Sequence, residues 1–76
     1  MEIKLSDIHS GQQACLMDIP QGCPVKARLA QFGIGPGSQV RCRFFSPGHH
    51  LVALEWGGTV LAMRLKDLTG ITARLC

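Results

Sequence analysis

Residues 28–40 read "RLAQFGIGPGSQV", and positions 33–37 of this stretch hold three Gly and one Pro. Its reading decides the fold. Upstream, Val25, Leu29 and Phe32 recur at i, i+4 and i+7, the apolar stripe of an amphipathic helix. Pro24 suits a first helical position, where its missing N–H costs nothing. The pattern therefore predicts a helix over about residues 24–32. Gly33 then supplies the residue just past the helix, and Ile34 can close back onto Leu29 in a Schellman motif. Gly35-Pro36-Gly37-Ser38 puts Pro and Gly at the two central positions of a type II turn. A phosphate-binding loop needs a Lys after its second Gly and a helix behind it. Here Ser38 follows Gly37 and an alternating segment follows that. Gly33, Gly35 and Gly37 are thus structural turn residues between a helix and a strand.

The segments around this core read mostly as strands. "SQVRCRFF" alternates, with Val40, Cys42 and Phe44 on one face and Arg41, Arg43 and Phe45 on the other. Phe32 and Phe44 are expected in the core, and Phe45 outside it. "LVALEW" and "TVLAMRL" flank Gly57-Gly58, a two-residue hairpin signal. "QQACLMDI" is a strand with two fairly apolar faces, and "ITARL" closes the chain with Ile71, Ala73 and Leu75 inward. "LSDIHSG" reads as a short helical turn with Ser6 as its N-cap. "LSDI" and "LKDL" echo each other as two such turns near the two ends. The sum is about five short strands and one helix, a mostly β chain in the class of small closed barrels. Closure would hide the strand edges.

Length and composition bound the rest. With 76 residues and 46% apolar content, residues 1–76 make one domain with one core. No stretch approaches the roughly 18 apolar residues of a membrane span. "MEIKLSDIHSG" has no apolar segment of the signal-peptide kind. A soluble, cytoplasmic protein is expected. The formal charge of +3 is spread along the chain, the pattern of a solvated face rather than a phosphate track. Arg41, Arg43 and Phe45 on one strand face still offer a small nucleic-acid-binding surface as an alternative.

Candidate chemistry is sparse. Glu2, Asp7, Asp18, Glu55 and Asp67 form no close pair suited to acid–base work. No Ser sits in a nucleophile elbow. No catalytic residue and no cofactor is assigned. Cys15, Cys23, Cys42 and Cys76 contain no C-x-x-C spacing, so a closed zinc site is not expected. Cys23, before Pro24 at a helix start, is either a reactive thiol or a packed capping residue. His49 and His50 are weak metal-ligand candidates, with a polar loop tip as the simpler reading. A metal-binding or sensing barrel would draw on these two His and a Cys. Cys76 is expected to be exposed and open to intermolecular disulfides.

"LSDIHSGQQACLMDI", "ARLAQFGIGPGSQVRC", a Pro-Gly before a strand and "TVLAMRLKDLTGITA" together resemble the FeoA family over nearly the whole chain. The most specific part is Arg28-Leu29 through Phe32-Gly33, then Pro36-Gly37. The resemblance implies an SH3-like β-barrel with an inserted helix. It implies a non-enzymatic accessory role in bacterial ferrous iron uptake, through the membrane transporter FeoB and its cytosolic G-protein domain. A related barrel ends metal regulators of the diphtheria-toxin-repressor type. His49-His50 departs from the acidic residue that the family often carries in this loop. On this reading the partner surface is the outward helix face with Lys26, Arg28 and Gln31, continued by Ile34 and Pro36. No nucleic acid is expected, and the chain would be recruited to the inner face of the membrane by its partner. Arg28 and Arg64 are the residues able to act in trans on GTP hydrolysis.

Overall fold

A computed structural model describes residues 1–76. It contains six antiparallel strands and one short helix: β1 (Glu2–Lys4), β2 (Gln13–Asp18), α1 (Lys26–Gln31), β3 (Gln39–Phe45), β4 (Leu51–Trp56), β5 (Thr59–Arg64) and β6 (Thr72–Leu75). The strands form one sheet in the order β1-β6-β2-β3-β4-β5. It curls into an SH3-like barrel around a core of 18 buried residues, among them Leu5, Leu29, Val40, Val52, Leu68 and Ile71. No polar side chain is buried. No ladder joins β1 to β5, so the barrel is open there rather than closed.

The extra strand is β1. Its three residues carry no alternation that marks a strand locally. They are held by long-range pairing, Glu2 with Arg74, Ile3 with Ala73 and Lys4 with Thr72. The two echoing segments are matching 3₁₀ turns, Leu5–Asp7 and Leu65–Leu68. Each leaves a strand through an extended residue and buries one leucine, Leu5 and Leu68. Ser6 caps neither end, because Lys4 occupies the N-cap position and no side-chain cap bond forms.

The helix is shorter than the sequence predicts. Cys23 N–H donates to the Pro20 carbonyl and Lys26 N–H to the Cys23 carbonyl, both bonds spanning three residues. Pro24 and Val25 therefore lie in a turn, and the first helical bond is Leu29 N–H to the Val25 carbonyl at 2.9 Å. Gly33, at φ 78°, ends the helix as expected. Its N–H donates to the Ala30 carbonyl, and the Ile34 N–H to the Leu29 carbonyl. These are the two bonds of a Schellman motif. The following turn has Ser38 N–H donating to the Gly35 carbonyl at 3.0 Å, with the Ser38 hydroxyl accepting from the Gly35 N–H. Gly57 and Gly58 both take positive φ, as a type I′ hairpin between β4 and β5 requires.

A bulge in β3 reverses the expected placement of two aromatics. Cys42 pairs with Leu54, but Phe44 pairs with Ala53, so Arg43 is one residue too many for β4. Beyond it the faces exchange. Phe44 is 60% exposed, and Phe45, opposite the fully buried Val52, packs against the core.

Candidate functional site

The helix and its turn place the predicted surface residues in different settings. Lys26 is half-buried, and its Nζ donates to Gln21 Oε1 at 3.1 Å. Arg28 and Gln31 are exposed, as is Pro36 in the turn. Ile34 is 4% exposed and belongs to the core, so it offers no surface. The reason is the Schellman geometry, which folds the residue after Gly33 back over Leu29. Helical geometry also separates the two charges. At 3.6 residues per turn, Lys26 and Arg28 project roughly 160° apart, on either side of buried Leu29. Arg28, Gln31 and Phe32 are i, i+3 and i+4 neighbours and share a face.

Phe32 makes that face more than a charged one. It is 40% exposed rather than buried, and its ring stands edge-on to Trp56 with centroids 5.7 Å apart and an interplanar angle of 82°. Such a pair adds about 0.5–1.5 kcal/mol beyond its buried area. It ties the end of α1 to the β4–β5 hairpin and leaves an aromatic edge beside Arg28. Arg28 makes no ion pair or hydrogen bond within the chain, whereas Arg43 holds Glu55 and Arg64 holds Asp67, each at 3.0 Å. The sequence assigned Phe32 to the core because helical period carries no information on where the helix ends. Its one local signal is its place directly before Gly33.

The alternative sites are dispersed. His49, at φ 60°, stacks on Phe45 at 4.3 Å and lines a cleft of about 390 Å³ with Ser6, Asp7, His9 and Ser10. His49 also borders a second cleft together with His50, where Arg64 and Lys66 are two cations that oppose a metal ion. No three His, Cys, Asp or Glu side chains come together as a metal site. Cys23 is buried, with its Sγ donating to the Asp67 carbonyl at 3.4 Å, which fits the packed reading. The strand face of Arg41, Arg43 and Phe45 is broken up by the bulge, since Phe45 turns inward and Arg43 pairs with Glu55.

No helix is long and apolar enough to cross a membrane. The chain is similar in structure to the FeoA protein from Chlorobium tepidum, with a TM-score of 0.85 and 26% identity over 96% of this chain and 70% of that one. It is similar to an iron uptake regulatory protein (FeoA), with a TM-score of 0.82 and 19% identity over the full length of both chains. A manganese-dependent transcriptional repressor shares the fold, with a TM-score of 0.82 and 14% identity over 99% of this chain and 42% of that one. No curated protein sequence matches the chain. The FeoA domain model matches residues 3–75, from within β1 to the end of β6. The chain therefore belongs to the FeoA family and takes part in ferrous iron transport.

Proposed function

We propose that this FeoA chain is a non-catalytic accessory protein that docks on the cytosolic part of the FeoB transporter and supports or regulates Fe(II) transport. The contact is the face built from Arg28, Gln31, Phe32 and Trp56, with Pro36 at its rim. The observation that supports this reading is the half-exposed Phe32–Trp56 pair beside an arginine with no partner in its own chain. Aromatic residues and arginine are the types that carry binding energy at protein interfaces. Lys26 lies on the other flank of α1 and contributes little. Docking in this way holds the chain at the inner face of the membrane through its partner.

A second reading concerns GTP hydrolysis by the transporter. An arginine supplied in trans stabilises transition-state charge. Of the two candidates, Arg28 and Arg64, Arg64 is held by Asp67, which favours Arg28. The test for both readings is retention of the chain by full-length FeoB, in GDP, in a GTP analogue and without nucleotide. Retention that Arg28→Glu removes supports the docking face. Retention in no state overturns it. Single-turnover GTP hydrolysis unchanged by the chain overturns the second reading alone.

A further inference from the structure

Cys15 and Cys76 meet on the outer face of the sheet. The β2–β6 ladder pairs Ala14 with Leu75 and Cys15 with Arg74. The Cys76 N–H donates to the Gln13 carbonyl at 3.0 Å, which continues the same register by one residue. Ala14 and Leu16 point into the core, so Gln13, Cys15, Arg74 and Cys76 share the outer face. The two cysteines are diagonal neighbours, with Cβ atoms within about 7–8 Å. The two thiols lie close enough to couple electrostatically. Desolvation, then the neighbouring Cys15, push the Cys76 thiol up. Cys15 is half-buried and Cys76 exposed, while Cys23 and Cys42 are buried. An oxidant in solution therefore meets this pair first.

We propose that Cys15 and Cys76 close into a reversible intrachain disulfide on two-electron oxidation by a hydroperoxide, which makes the β2–β6 seam a redox-modified site. One thiolate attacks a peroxide oxygen. An S–O bond forms, the O–O bond breaks, and the other oxygen leaves as water or an alcohol after taking a proton. The second sulfur then attacks the sulfenic sulfur, and hydroxide leaves as water with the second thiol's proton. The two thiols lose two electrons and the peroxide gains two. A disulfide needs Cβ atoms about 3.8 Å apart. Cys76 lies just past β6 and is tied by one backbone bond to Gln13, so it is the residue that moves. Neighbouring thiols in one chain see each other at millimolar effective concentration, so closure outruns dimerisation in dilute protein. The bridge staples the strand that also carries β1.

The experiment treats reduced full-length protein at low micromolar concentration with stoichiometric hydrogen peroxide in the presence of a chelator. The expected result is a mass loss of about 2 Da and a fall in denatured thiol titre from four to two, with a Cys15–Cys76 crosslinked peptide and a higher thermal midpoint. Dithiothreitol reverses all of these, and Cys15→Ser abolishes the mass loss. Addition of oxygen mass without a crosslink overturns the proposal. So does a disulfide-linked dimer as the main product, or a 2 Da loss that persists in Cys15→Ser. Circular dichroism of Cys15→Ser confirms that the variant tested is folded.

Discussion

The backbone N–H of Ile34 donates to the carbonyl oxygen of Leu29 at 2.9 Å, and both side chains are buried in the same core. This one bond joins the end of the helix to the start of the glycine turn, and it depends on Gly33 at φ 78°. A side chain in that left-handed conformation costs about 1–2 kcal/mol. Gly33→Ala is expected to lower stability by that amount in a denaturant titration. Gly35 has no positive φ and nothing within 4 Å of a Cβ position. Gly35→Ala is expected to be neutral or slightly stabilising, through a less mobile unfolded chain. Equal losses at both positions would contradict this account of the turn.

Gly70 is the more constrained glycine. It combines φ 85° with a Cβ position only 2.8 Å from Pro20 Cγ, part of a ring that cannot rotate away. Left-handed strain and overpacking together put the cost of Gly70→Ala at roughly 2–5 kcal/mol. At about 4–8 °C per kcal/mol for a domain of this size, the thermal midpoint falls further than for Gly33→Ala. Equal midpoints for the two variants would show that Pro20 yields.

Cys42 links the core to pH. Burial pushes its thiol above the ordinary value of 9.0, against a smaller lowering by the nearby Ser10 side chain. As pH rises through the unfolded value, the unfolded chain releases this proton while the folded chain keeps it. Stability therefore falls with rising pH above about 9, and the contribution is fully present below that. Cys42→Ala is expected to flatten the alkaline limb of stability against pH. An unchanged limb would mean that this thiol does not set it.

The turn chemistry was legible because each element is local. Gly33, the Pro36-Gly37 pair and Gly57-Gly58 each announce a backbone conformation within a few residues. The barrel class followed from strand spacing, and the family from residues spread over the whole chain. What was not legible depends on partners far along the chain. Glu2–Lys4 is a strand only because β6 lies beside it. Phe44 and Phe45 trade faces because β4 leaves no room for Arg43 in register. For the candidate site, Arg28 and Gln31 were placed correctly on the surface, but Ile34 was not, and Phe32 and Trp56 meet only once the hairpin folds against the helix.

The measurement that tests the docking face most directly is the affinity of full-length FeoB for the wild-type chain, Arg28→Glu, Phe32→Ser and Lys26→Glu. Removing a central interface anchor costs 2 kcal/mol or more, about 30-fold in Kd. Arg28→Glu and Phe32→Ser are expected to weaken binding by at least about tenfold while remaining folded, and Lys26→Glu to change it by less than about threefold. Unchanged affinity in both of the first two variants, with the chain still bound to FeoB, would place the contact elsewhere and contradict the central claim.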